Sequence, residues 1–288
     1  MDYGKRIRCG LAAAAITLIG SVLLSHPALE AFLPLDQTEP VEMVVLMYHS
    51  IHSNPNKAGD YVITPDALRQ DLEFLQREGY ETITVSQLVA YVRGTGDLPE
   101  KPVMLTFDDG YYNNYLNAFP LLQEYGAKAV ISIIGRETDR YSQLDENKEN
   151  YSHLTWDQIK EMEASGLVEF QNHSYDLHGL NGARQGASKK QGEGTEEYRQ
   201  VLREDLGQLQ QRFQEMTGHM PTAFTYPFGR VSEDSYAVVL ELGFSASLDA
   251  QGKVYKVIQG NESCLYRIPR YNRPWGVTAE QIITKALG

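Results

Sequence analysis

Cysteine is nearly absent from this 288-residue chain. The two present, Cys9 and Cys264, are too few for a disulfide scaffold. Cys9 falls in an apolar N-terminal run, which leaves Cys264 without an intrachain partner and reads it as a small buried hydrophobe. Basic charge is scarce as well: 26 Lys and Arg stand against 38 Asp and Glu, for a net charge of −12. The acid excess persists beyond residue 31, because the first 31 residues carry Lys5, Arg6 and Arg8 against Asp2 and Glu30. A chain without an excess of positive charge argues against nucleic acid as a partner, and its acidity fits plain solubility. The 12 Pro and 24 Gly are near average, which excludes collagen-like and low-complexity chains. With 42% apolar residues, the chain can bury one large core or two small ones.

Lys5, Arg6 and Arg8 precede an uncharged run from Cys9 to Ser25. A basic region followed by about 15 apolar residues is the pattern of a secretory signal. Neither His26-Pro27-Ala28 nor Leu29-Glu30-Ala31 puts small residues at both positions of a cleavage site. A spanning helix of about 20 apolar residues is reached only by including His26 and Pro27. Residues 1–31 therefore read as a signal peptide or an N-terminal membrane anchor. The protein is expected to be exported, either extracellular or attached to the outer face of the cytoplasmic membrane. Residues 32–42 read as a linker.

Beyond the linker, strand-like and helix-like segments alternate. Val44–Tyr48, Val103–Phe107, Ala129–Ile134 and Val168–Gln171 are short apolar runs, and Ala223–Tyr226 and Phe244–Leu248 look like further strands. Thr64-Pro65 opens a helix with Leu68, Leu72 and Leu75 on one face, and Gly79 ends it. Thr155 and Thr278 are further caps, Glu196–Met216 is a long amphipathic helix, and Asp234–Leu242 is a shorter one. Alternating β and α segments imply a parallel sheet covered by helices, as a closed barrel or an open doubly wound sheet. Asn181–Thr195, rich in Gly and Lys, reads as a mobile surface loop.

In such folds ligands and chemistry gather at the C-terminal ends of the strands. Four polar groups fall there: His49, Asp108-Asp109-Gly110, His173, and Tyr226-Pro227-Phe228-Gly229. Two adjacent carboxylates on a semi-buried rim raise each other's pKa unless a cation neutralises them. Asp109, His173 and His178 would give such a cation two imidazoles and one carboxylate with open positions, which suits Zn²⁺ or a similar ion. Asp108 would then be free to act as a general base. The spacing from His173 to His178 suits neither face of a helix nor of a strand, so the backbone must turn between them.

These residues resemble the polysaccharide deacetylase family, also called NodB-homology or carbohydrate esterase family 4. Thr106-Phe107-Asp108-Asp109-Gly110 matches its first motif, and His173-Ser174 through His178 is similar to its second, one residue longer than the commonest spacing. The opening Leu46-Met47-Tyr48-His49-Ser50-Ile51 resembles a circularly permuted branch, the poly-N-acetylglucosamine deacetylases. The resemblance covers residues 43–288 as one deacetylase domain and implies a distorted (β/α)7 barrel. It also implies a divalent metal (zinc, with cobalt or nickel as alternatives) and removal of N- or O-acetyl groups from a cell-envelope or extracellular polysaccharide. By the same resemblance Asp108 is the base, Asp109, His173 and His178 are the metal ligands, and His49 is the acid. Tyr226 stands where the family's third motif commonly has an Arg, and Arg267 or Arg270 is a candidate replacement. Tyr226, Pro227, Phe228, Arg270 and Trp275 are the expected substrate-binding residues, with Leu265, Phe228 and Trp275 as candidates for an acetyl pocket. His52 is expected to be an ordinary loop residue. The competing readings are a glycosidase using the rim carboxylates and an envelope-tethered sugar-binding protein without catalysis.

Overall fold

The computed structural model describes residues 39–144, 146–180 and 182–288, and the expectations for residues 1–31 lie outside these. The chain enters through β1 (Val41–Tyr48), which begins inside the segment read as a linker. Its Met43–Tyr48 stretch is buried throughout, as a central parallel strand covered on both faces requires. β2 (Ser50–Ile51) and β3 (Val62–Ile63) form a small separate ladder above it. Thr64 caps α1 (Pro65–Arg77) by accepting from the Ala67 N–H, with Pro65 at the first helical position. α1 buries Leu68, Leu72 and Leu75, the face expected from their spacing. β4 (Glu81–Thr82) and α2 (Val85–Val92), with a capping box on Thr84 and Gln87, lead into β5 (Pro102–Phe107).

After β5 the chain makes α3 (Phe119–Tyr125), β6 (Ala129–Ile133) and α4 (Gly135–Gln143). Next come α5 (Trp156–Ala164), capped by Thr155, and β7 (Val168–Asn172). The long α6 (Thr195–Thr217) buries Tyr198, Leu202, Leu206, Leu209 and Phe213. β8 (Ala223–Thr225), α7 (Ser235–Glu241), β9 (Ala246–Leu248), β10 (Tyr255–Val257), β11 (Tyr271–Asn272) and α8 (Ala279–Leu287) complete the fold.

The main sheet runs β10-β1-β5-β6-β7-β8-β9, parallel from β1 to β9. The segment 268–272 joins its two ends. Ile268 bridges Leu248 in parallel and Tyr271 pairs with Leu46, so the same stretch touches β9 on one side and β1 on the other. That closure makes a distorted (β/α)7 barrel and selects it over an open doubly wound sheet. β10 adds an antiparallel extension at the start of β1. Two large apolar clusters fill the space between sheet and helices, one under α1, α3, α5 and α8 and one around α2, β10 and Leu265.

Two local expectations change. Cys264 is half-buried rather than fully buried. The loop leading to α6 is tied down at its described residues: Arg184 pairs with Glu193, Lys189 Nζ binds Asp234 at 2.7 Å, and Tyr198 donates to the Ala187 carbonyl at 2.8 Å. Its Gly and Lys content gave no sign of these distant partners. Among the described residues no helix is long and apolar enough to cross a membrane.

Candidate active site

The β5 strand ends in Asp108-Asp109-Gly110, and the turn there aims both carboxylates into one place. Asp109 (φ 72°) and Gly110 (φ 66°) adopt left-handed backbone in succession. An Asp in that region costs about 1–2 kcal/mol, a strain that structures keep where function needs it. Gly110 has no substitute: a Cβ would lie 2.8 Å from Ile133 Cγ2. The turn is braced from outside by His153, whose Nδ1–H donates to the Asp109 carbonyl at 2.9 Å, and by Leu154 N–H, which donates to the Gly110 carbonyl.

The second rung is β7. Asn172 Oδ1 accepts the Ser174 N–H at 2.8 Å, and Ser174 takes φ 81°. This left-handed serine supplies the turn that the His173–His178 spacing demands, with neither Gly nor Pro. His173 donates Nδ1–H to the Thr225 carbonyl at 2.8 Å, which fixes its tautomer and leaves Nε2 facing the site. Both imidazoles reach Asp109: His178 Nε2 lies 3.0 Å and His173 Nε2 3.5 Å from its Oδ1. One ligand atom from each of the three residues falls within 4.8 Å of the other two.

These three groups fit a divalent cation. Asp109 Oδ1 is buried and accepts no well-formed hydrogen bond, although two imidazole nitrogens converge on it. An orphaned buried carboxylate oxygen is costly unless a positive charge meets it. Two nitrogens and one oxygen form a donor set that Zn²⁺ accepts with positions left open for water and substrate. Burial raises the Asp109 pKa, but the close approach of His173 and His178 and the charge of His178 and His49 outweigh it and hold the group well below the usual carboxylate range.

Asp108 is used differently. Arg270 grips it with two parallel bonds, Nη1 to Oδ1 at 2.6 Å and Nη2 to Oδ2 at 2.8 Å. Arg270 also donates to Thr106 Oγ1 and to the Asp249 carbonyl, so four of its five N–H groups are engaged. Burial alone would push Asp108 up, but Arg270, His173 and His49 together hold it below its ordinary value. Burial works against protonation of His173, and the charges of Asp108 and Asp109 reverse this and raise it. His49, just past β1, is close enough to feel both carboxylates. Burial dominates there and keeps its pKa lowered, its ring packs edge-on against Tyr61 at 4.8 Å, and Nδ1 has no hydrogen-bond partner.

The structure thus brings together Asp108, Asp109, His173, His178, His49 and Arg270. Arg270, expected either among the substrate-binding groups or as the charge beside Asp108, pairs with Asp108. It supplies a charge beside Asp108 although Tyr226 begins the third motif. Arg267 does not: its Nε reaches the Asp249 carboxylate instead, at 3.3 Å. Phe228 (φ 58°) lays its half-exposed ring 4.4 Å from that of His178 and forms a wall of the site. Pro227 is buried behind it. Tyr226 is not in the site. It packs on Phe224 in the core under α6 and α7, with its hydroxyl 2.8 Å from Ser235 Oγ. Leu265 is likewise core. Trp275 lines a separate groove of about 580 Å³ with Ser53, Pro65 and Val277, and none of the site carboxylates or imidazoles borders that groove.

Two residues escaped the sequence reading, and a third, His52, reads there only as an ordinary loop residue. His153 braces Asp109, and Asn172 turns the chain after His173. His52 is buried, with Nε2 2.7 Å from Asn150 Oδ1, and so belongs to a network tying the loop after β2 to the one before α5. His153 and His52 act through partners distant in sequence and Asn172 through the backbone two residues on, and none sits in a recognisable motif.

Comparison with known proteins agrees with this geometry. The polysaccharide deacetylase family model matches residues 95–247. The poly-beta-1,6-N-acetyl-D-glucosamine N-deacetylase of Escherichia coli K12 is 27% identical over 263 residues, covering 84% of this chain. The chain spans 38% of that relative's length. The enzyme of the same name from Staphylococcus epidermidis is 24% identical over 77% of this chain and 71% of its own. Among solved structures, a de-N-acetylase from Aggregatibacter actinomycetemcomitans superposes with TM-score 0.72 at 25% identity, over 84% of this chain and 98% of its own. IcaB from Ammonifex degensii gives 0.69 at 26% identity, over 88% and 99%. With motif, barrel and match in agreement, the chain belongs to the polysaccharide deacetylase family.

Proposed function

We propose that this chain is a metal-dependent N-deacetylase acting on poly-β-1,6-N-acetyl-D-glucosamine or a closely similar exported polymer. The observation that carries the proposal is the convergence of Asp109, His173 and His178 beside a separately held Asp108. The polymer is inferred from the names of the relatives and from the permuted motif order that begins at His49.

Asp109 Oδ1, His173 Nε2 and His178 Nε2 would hold the ion, preferably zinc. Bound there, a divalent cation supplies a Lewis acid for the acetyl carbonyl and lowers the pKa of water. Asp108, ionised and oriented by Arg270, accepts the proton of the attacking water. His49 in its protonated form gives a proton to the departing sugar amine, so acetate and a free amine leave. Phe228 offers an apolar wall to the acetyl methyl group. The pairing of Arg270 with Asp108 favours this reading over a non-catalytic sugar-binding protein, because it keeps a charged partner on the proposed base. Export through residues 1–31 belongs to the same proposal.

The test is release of acetate and free amine from poly-β-1,6-N-acetylglucosamine oligomers, before and after chelation and after zinc is returned. Release that chelator abolishes and zinc restores is expected. No acetate from zinc-loaded protein, or release indifferent to chelator, would overturn the proposal.

A further inference from the structure

The imidazole pair poses a mechanical problem. His173 and His178 are one residue further apart than the family's commonest spacing, yet both Nε2 atoms must arrive at Asp109. The intervening residues carry neither Gly nor Pro, and Ser174 alone begins the turn. Something outside the segment must hold the rest of it.

α6 provides that hold. The carboxylate of Asp205 accepts two successive backbone N–H groups, Tyr175 to Oδ1 at 2.8 Å and Asp176 to Oδ2 at 2.8 Å. From the opposite side the first turn of α4 donates Gly135 N–H to the Ser174 carbonyl at 3.1 Å and Arg136 N–H to the Tyr175 carbonyl at 2.9 Å. Gly135 is what allows the approach, since a Cβ there would stand 2.7 Å from both Tyr175 Cδ2 and Leu209 Cδ1. The Tyr175 hydroxyl is tied in turn to Asp139 at 3.1 Å. Of these groups only Asp205 satisfies two neighbouring N–H groups with one side chain, and it does so in the middle of the longer spacing.

We propose that Asp205 is a positioning residue for the metal centre: it fixes the turn between His173 and His178 so that both imidazoles meet Asp109. The inference rests on the metal-binding reading above. Asp205 is an unlikely choice for stability alone. Burial outweighs its two backbone bonds and pushes its pKa up to about 6, so the fold holds the ionised form at a cost. Asp is also a weaker helix former than Ala in the interior of α6. A group kept despite both penalties fits a geometric task.

The experiment is zinc affinity, measured on the full chain by competition with a chromophoric chelator, for wild type, Asp205→Ala and Asp205→Asn. Thermal stability of each metal-free protein and hydrogen exchange of the Tyr175 and Asp176 amides are measured alongside. Asp205→Ala is expected to weaken zinc binding by about tenfold, the lower end of what loss of a ligand-orienting group costs. Its metal-free melting temperature should be unchanged or higher, and exchange at Tyr175 and Asp176 should accelerate. Asp205→Asn keeps one acceptor oxygen and should fall between wild type and Ala. Affinity equal to wild type in both variants overturns the proposal, as does a loss of affinity that merely tracks a fall in stability. Failure of the wild type itself to bind zinc is a different result: it removes the metal-binding reading and this inference with it.

Discussion

Replacing Arg270 by Met would remove one charge from a pair that is almost wholly withdrawn from water, with side chains 1% and 4% exposed. The wild-type pair consists of two charge-assisted bonds of 2.6 and 2.8 Å. Bonds of this kind contribute about 1.5–3 kcal/mol each, and stripping one partner from a buried pair typically costs about 3–5 kcal/mol. Asp108 can relieve part of that cost by taking up a proton, because its remaining environment is dominated by burial, which raises a carboxyl pKa. In the wild type the pKa lies below 3.8, so the stabilisation is fully present above that pH and is lost as pH falls through the folded-state value. In the variant the base would be neutral over a wider acid range. Two assays follow: urea unfolding near neutral pH, and kcat/KM for acetate release against pH. A loss of about 3–5 kcal/mol and an acid limb moved to higher pH are expected. A limb that coincides with that of wild type, with stability changed by less than about 1 kcal/mol, would refute the role given to Arg270.

Other substitutions separate the roles around it. Asp108→Asn should keep zinc and lose acetate release, and turnover by the zinc-loaded variant would remove Asp108 as base. His49→Gln should bind zinc like wild type while kcat falls by about 10²–10⁴, the usual contribution of a general acid; an unchanged kcat would dismiss it. Gly110→Ala meets both a left-handed backbone and a contact of 2.8 Å with Ile133, so unfolding should show a loss of about 1–3 kcal/mol, and a silent substitution would contradict the packing described.

Much of the barrel was legible because its parallel strands are continuous apolar runs ending in polar groups. Val44–Tyr48, Val103–Phe107 and Val168–Gln171 all lie within strands, and Thr64, Thr155 and Thr278 all cap helices. Barrel closure was not legible. Residues 268–272 join β9 to β1 over very long sequence separations, with no apolar run of their own to announce a strand. The choice between Arg267 and Arg270 was hidden for the same reason, since Arg270 meets Asp108 only once that segment has closed the barrel. The turn after His173 was obscured because a serine in left-handed backbone gives no composition signal, and the groups that stabilise it lie on α4 and α6. The loop before α6 misled in the opposite sense: its Gly and Lys residues suggest mobility, while Arg184 and Lys189 find acidic partners that anchor it.

The central claim is that one divalent ion is shared by an acid from β5 and two imidazoles from the end of β7. Crystals of the zinc-soaked protein, measured on both sides of the zinc absorption edge, test it most directly. One anomalous peak at about 2.0–2.2 Å from Asp109 Oδ1, His173 Nε2 and His178 Nε2 is the predicted result. A map without a peak there, or with either imidazole turned from Asp109, would contradict it.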